Sequence, residues 1–475
     1  MTSDAPGAEP FTTEARKVPR APGGWGPLGH LGWSGLSRGA EPALARLRPA
    51  GSLVRIRRTL YLVNDLELMR TVLTDTTGRF AHWSAAPELH DVFGKGMVAL
   101  EPDAYRQRRA LMLPAFTSGP TKEAGPTIYK IVSDFTASLP SDRPVDVAAT
   151  MTRLTAKLIT HCLLRAPVAD DVLDLAVDSE PGVSQAILCR LLMPSWAWRL
   201  PTPQRLRFRR ALAGRAEVAL RTLEAHRPPE TREDVLSLLG NTNCPAARAN
   251  RKAVSREALL AEISSLIFGG LEATVATLAW ACHELSSHPD IEEAVLREAD
   301  ALAAAGGLHP GQAWADALPV TGRFVQEVER VHPPTALMRD VRHATVLGGF
   351  HLPAGARLCM PLREIHHDPD LVTDPGTFAP DRWLPENLET SPCRAVTPFG
   401  LPPRRCIAAP LATVLVPVAL AAIAAQRRFR PANPGRSPRT GLRVVAHPVR
   451  LMMFPQPRPA TLQPFPPAQV TGTPR

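Results

Sequence analysis

Cys406 lies in the segment Phe399-Gly-Leu-Pro-Pro-Arg-Arg-Cys-Ile-Ala-Ala409. A lone cysteine usually serves as a small buried hydrophobe. Here two arginines precede it, an aromatic residue stands seven positions upstream, and the apolar run after it opens a helical stretch. A sulfur at a helix start meets unpaired N–H groups and the positive end of the helix dipole, which favour the thiolate. Arg404 and Arg405 supply positive charge, for that thiolate or for an acidic group on a cofactor. A thiolate in an apolar pocket is one of the few ways proteins ligate heme iron. A structural cysteine beside a basic loop fits the same segment.

Two further patterns weigh on that choice. Glu327 and Arg330 are three apart on one helix face, and Val331-His-Pro-Pro334 must stop that helix. Downstream, Phe378-Ala-Pro-Asp-Arg-Trp383 brings Arg382, which could complete a buried Glu–Arg–Arg cluster. Buried charges survive only when paired and hydrogen-bonded, so such a cluster would lock a long loop. The other pattern is Ser264-Ser-Leu-Ile-Phe-Gly-Gly-Leu-Glu-Ala-Thr-Val-Ala-Thr-Leu-Ala-Trp280. Gly269, Gly270 and Ala273 fall on one helix face, a notch where a flat body can approach the backbone. Glu272 and Thr274 border it inside an otherwise apolar run.

Together these segments resemble the cytochrome P-450 family of heme-thiolate monooxygenases. The resemblance spans roughly residues 19–456, between an N-terminal segment 1–18 expected to be disordered and a proline-rich tail 457–475. It implies a mainly α fold with a minor β region, and heme b with the Cys406 thiolate as axial ligand. Glu327, Arg330 and Arg382 match the family's Glu-x-x-Arg pair and its loop partner, and Gly269 to Thr274 match the oxygen-activation motif. Tyr105-Arg-Gln-Arg-Arg-Ala-Leu-Met-Leu-Pro-Ala-Phe116 is similar to the segment that contacts a heme propionate. By this likeness Tyr105, Arg109, Gly269, Gly270, Arg339, Phe399 and Arg404 bind the cofactor, while Glu272 and Thr274 relay protons.

The chain departs from the family in four places. Tyr105 replaces a Trp, Pro402 a Gly before the ligand, and Ala408 a Gly after it. Ala273 replaces the Thr that helps deliver protons to bound oxygen, so Thr274 with an ordered water is expected to substitute.

Composition bounds the rest. A chain of 475 residues can bury a large core, and 44% hydrophobic content is ordinary for a globular protein. Seven scattered cysteines, an odd number without metal-type spacing, argue against a disulfide framework and fit a reducing cytoplasm. The net charge of +10 comes overwhelmingly from arginine. Arg106, Arg108 and Arg405 suggest a basic face that would steer an acidic ferredoxin. No nucleic-acid-binding motif accompanies the charge. Residues 1–14 are polar and lack the apolar core of a signal peptide. The apolar runs 258–282 and 407–425 read as core helices, because the first carries Glu262 and Glu272 and the second Pro410 and Pro417. A soluble monomer follows, without stable membrane insertion or nucleic acid.

Element signals agree with the family pattern. Leu53 to Arg57 and Leu60 to Val63 read as a hairpin. Residues 66–74, 104–113, 130–138, 150–164, 234–239 and 255–287 read as helix, with Ser255 an N-cap. Residues 344–360 read as a small β region, and no internal repeat occurs. Residues 81–100, 184–198 and 335–337, largely apolar, are candidate pocket walls that suit a lipophilic substrate, a terpenoid or other secondary metabolite. O2 and electrons from NAD(P)H through ferredoxin and its reductase complete the implied reaction. The change at Ala273 keeps two other readings open, a peroxide-driven or rearranging heme-thiolate enzyme and a non-catalytic heme or ligand-binding relative.

Overall fold

The computed structural model describes residues 16–21, 50–85, 89–192, 202–227, 234–240, 254–309, 312–388, 398–436, 438–441 and 445–458. Two apolar helices organise it. The central helix, Arg256–Ser287, begins where the Ser255 side chain accepts from Ala258 N–H, and ends at His288 before Pro289. Its buried residues fall on several faces, because helices pack around it on different sides. The second, Ala409–Gln426, is apolar on every side and buried from Val414 to Ala424, with Pro417 inside it. Both are long and apolar enough to cross a membrane by length and composition alone. Both sit in the main core with Ser118–Ala137, Val147–Leu158, Pro289–Ala304 and Pro319–Val331. A helix that is hydrophobic all round belongs in such a core.

A five-stranded sheet forms the second layer, in the order Leu53–Arg55, Leu60–Val63, Arg357–Met360, Leu337–Val341, Phe80–His82. The expected hairpin is its edge, and the 344–360 region supplies Thr345–Leu347, Phe350–Leu352 and Arg357–Met360. Leu337–Val341 was not foreseen, since the preceding proline pair reads as loop. Its register sets Arg339 opposite His82, which later matters.

The described structure reaches a few residues beyond the expected boundaries at both ends. Arg16–Lys17, within the segment expected to be disordered, pair in parallel with Phe350 and His351. At the other end Met452–Pro457 forms a strand, and Arg458 caps the fold through Asp300 at 2.8 Å. Ordered structure therefore runs two residues past the boundary at 456. Main-chain pairing holds Arg16–Lys17 in spite of its charge, and Met452–Pro457 in spite of its two prolines. Most of the proline-rich lead-in at 19–29, part of the 184–198 wall, and the tail beyond Arg458 lie outside the described residues.

Pro319–Val331 carries the charged cluster that locks the loop over the sheet. Glu327 is fully buried and Arg330 nearly so, and they pair through two bonds of 2.8 and 2.9 Å. Arg330 also donates to the carbonyls of His366, Pro375 and Thr377. Glu327 accepts from Ala379 N–H, Trp383 Nε1 and, at 3.4 Å, Arg382 Nε. Burial, the largest single influence, raises the Glu327 carboxyl, but Arg330, Ala379 and Trp383 together outweigh it. The net shift is below the ordinary carboxylate value.

Candidate heme-thiolate site

The loop before Ala409–Gln426 turns back on itself at Gly400, whose φ of 70° suits glycine. Cys406 N–H then donates to the Phe399 carbonyl at 3.0 Å, which closes the loop. The backbone N–H groups of Ala408 and Ala409 point at the sulfur, at the start of the helix. Burial raises the Cys406 thiol above its ordinary value, and the two N–H groups, Arg109 and Arg405 only partly oppose that. A metal would complete the deprotonation, since a coordinating thiol ionises outright.

The sulfur faces a cavity of about 400 Å³. The central helix forms its opposite wall with Gly269, Ala273, Thr274 and Thr277, and Tyr105, Arg109 and Phe399 line its flanks. A Cβ built on Gly269 would meet nothing within 4 Å, so this glycine opens the notch. Gly270 differs. It too lines the cavity, but its Cβ direction ends 2.8 Å from Ile159 Cδ1, so it also allows close packing of the helix on the Ile159–Leu163 turn.

Cations gather at one end. The Arg404 guanidinium lies 3.6 Å above the Tyr105 ring and donates to the Leu100 carbonyl at 3.2 Å. Arg109 donates to the Tyr105 hydroxyl at 3.2 Å. Arg339 does not line the cavity itself. It is buried just behind, donates to the Met338 carbonyl, and is pushed down to about 10 by burial and by Arg404. His82, which sequence reasoning missed, lines the cavity and is held well below its usual value by burial, Arg339 and Arg404. Like charges crowded in this way call for an anion. A heme with its two propionates fits the group, and the notch and the sulfur fit its two faces.

Two acidic residues depart from the sequence reading. Glu272 does not line this cavity. Its carboxylate accepts from Ser184 Oγ and, at 3.0 Å, from Val445 N–H, off the edge of the cavity-facing stripe. The reason is helical phase, since residue 272 lies about 100° from 273. Glu329, which stands between the paired Glu327 and Arg330, does line the cavity, and burial pushes its carboxyl up to about 8. Thr274 faces the cavity as expected.

The basic face is also smaller than its sequence suggests. Arg108 is mostly buried and pairs with Glu262 at 2.7 Å, while Arg106 and Arg405 remain exposed.

Comparison with known proteins agrees with this geometry. The family model "Cytochrome P450" matches residues 46–453, and the chain belongs to that family. It is 29% identical to cyclooctatin synthase of Streptomyces melanosporofaciens, over 92% of this chain and 95% of that protein. It is 27% identical to pentalenene oxygenase of Streptomyces avermitilis, over 91% and 96%. The cytochrome P450DA heme domain shares the fold with a TM-score of 0.76, at 19% identity over 94% of this chain and 97% of that one. The protein is a cytochrome P450 monooxygenase of the heme-thiolate class.

Proposed function

We propose that this monooxygenase inserts one oxygen atom of O2 into a lipophilic small molecule, a terpenoid in the first instance. Electrons would come from NAD(P)H through a ferredoxin and its reductase, in the cytoplasm. The observation that carries this is the Cys406 sulfur facing an apolar cavity beneath a notched helix. The relatives' names support the substrate class: one is an oxygenase of pentalenene, and another a 5-monooxygenase of cyclooctat-9-en-7-ol.

When bound, the heme supplies O–O bond cleavage assisted by its thiolate. Cys406 would hold the iron, and Arg109, Arg404 and His82 the propionates, with Arg339 adding its charge from behind them, while Gly269 would leave room for the ring. Thr274 would hold a proton at Oγ1 and pass it inward through a water. Glu272, turned away, would act one step further out. The apolar walls exclude bulk water and set which carbon is presented.

The test is the absorption spectrum of the reduced protein under carbon monoxide. A far red-shifted Soret band is expected, and Cys406→Ser should abolish it while circular dichroism stays unchanged. A retained band in that variant would remove the sulfur from the site. Ala273, which leaves no hydroxyl at its position, favours a second reading, turnover driven by peroxide. Product from hydrogen peroxide, but none from NADPH with ferredoxin and reductase, would select it.

A further inference from the structure

Behind the notch lies a second, smaller cavity of about 190 Å³, and Gly269, Ala273 and Val445 border both. Trp83, Phe93 and Phe268 make it largely apolar, yet Arg215, Glu180, Ser184 and Glu272 also line it. Arg215 is only 3% exposed. Among the described residues it hydrogen-bonds from Nε to Ser264 Oγ, and its guanidinium lies over the rings of Phe268 and Phe93, at 5.1 and 5.8 Å. Among the described residues no carboxylate pairs with it, and burial lowers it to about 10 with no charged neighbour contributing. A guanidinium has five donors, and among the described residues only the Nε one meets a hydrogen-bond acceptor. A buried cation is costly in that state, and it calls for an acceptor from outside.

The rest of the cavity presents acceptors. Glu180, Glu272 and His447 bring their ligating atoms within 4.8 Å of one another. Donors on one wall and acceptors on another suit a group that does both. A hydrocarbon would answer neither wall, a ketone only Arg215, and a carboxylate would face two glutamates.

Resting on the proposed monooxygenase reading, we infer that this corner is a binding subsite for an alcohol. The substrate arrives already hydroxylated, its oxygen accepting from Arg215 and its proton donated to the glutamate wall. The apolar remainder then extends past Gly269 and Ala273 into the larger cavity. An earlier oxygenation or hydration of the same skeleton must therefore supply this substrate.

The experiment titrates the heme-loaded protein with two matched sets, abietadiene, abietadienol and abietic acid, and dodecane, dodecanol and dodecanoate. Binding is followed by the Soret spin-state shift and by calorimetry. In at least one set the alcohol should bind about 10-fold or more tighter than its hydrocarbon, as expected of a site built around hydrogen bonds. Arg215→Met should bring alcohol and hydrocarbon within about 3-fold of each other, while Arg215→Lys keeps part of the preference. The carbon monoxide band and melting temperature of each variant show that fold and heme are intact. Alcohols that bind no tighter than hydrocarbons, or not at all, overturn the inference, as does an acid that binds tightest. Zn²⁺ that binds the protein alone and competes with the alcohol would reassign the glutamates and overturn it too. A protein lacking the carbon monoxide band would instead sink the proposed function, so the two failures are distinguishable.

Discussion

At the scale of single residues, the proposed proton path turns on positions 272 to 274. In this chain the acidic residue of the oxygen-activation motif, Glu272, bonds Ser184 and Val445 instead of facing the main cavity. The position after it is Ala273, so the nearest motif hydroxyl that lines the cavity is Thr274. Removing that hydroxyl should leave heme binding intact and disturb proton delivery. Thr274→Ala is expected to consume several-fold more NADPH per product, measured beside hydrogen peroxide release. An unchanged ratio would take Thr274 out of the path.

Among the elements, the helix Pro319–Val331 and the 366–383 loop stand or fall together. Removing the carboxylate would leave Arg330 buried without its partner, and a broken buried pair typically costs about 3–5 kcal/mol. Glu327→Ala should therefore lower the unfolding midpoint sharply and impair heme incorporation. The pH dependence follows from the sign of the shift. Folding holds the Glu327 carboxyl below its ordinary value of 4.5. The native state thus binds the proton less readily than the unfolded chain, and this contribution is present in full above that value. It is lost as pH falls through the lower, folded value. Urea denaturation between pH 6 and pH 3 should show a decline that is shallower in Glu327→Ala, and parallel declines would reject the assignment.

The whole molecule carries its positive charge unevenly in effect. Arg108 neutralises Glu262 in the interior, so only Arg106 and Arg405, of the three considered, can meet a partner on the cysteine side. Exposed charge acts chiefly on association, and salt screens it within about 8–10 Å. Arg405→Glu is expected to raise the KM for an acidic ferredoxin several-fold with kcat little changed. The effect should shrink between 20 and 300 mM salt. A KM independent of both would place the electron donor elsewhere.

The sequence alone determined the candidate sulfur and the motifs around it. Cys406, the Glu327–Arg330 pair, Arg382 and the Gly269 notch each sit in short local motifs, where spacing along one loop or helix fixes the geometry. Helix starts such as Ser255 were legible for the same reason. Tertiary structure decided what spacing cannot carry. His82 meets Arg339 only through strand register, and Glu329 faces the cavity only because of how its helix seats. Arg215 and Glu272 reach one cavity from two helices packed side by side. Such meetings depend on the rotation and depth at which elements pack, which no single segment of the chain specifies.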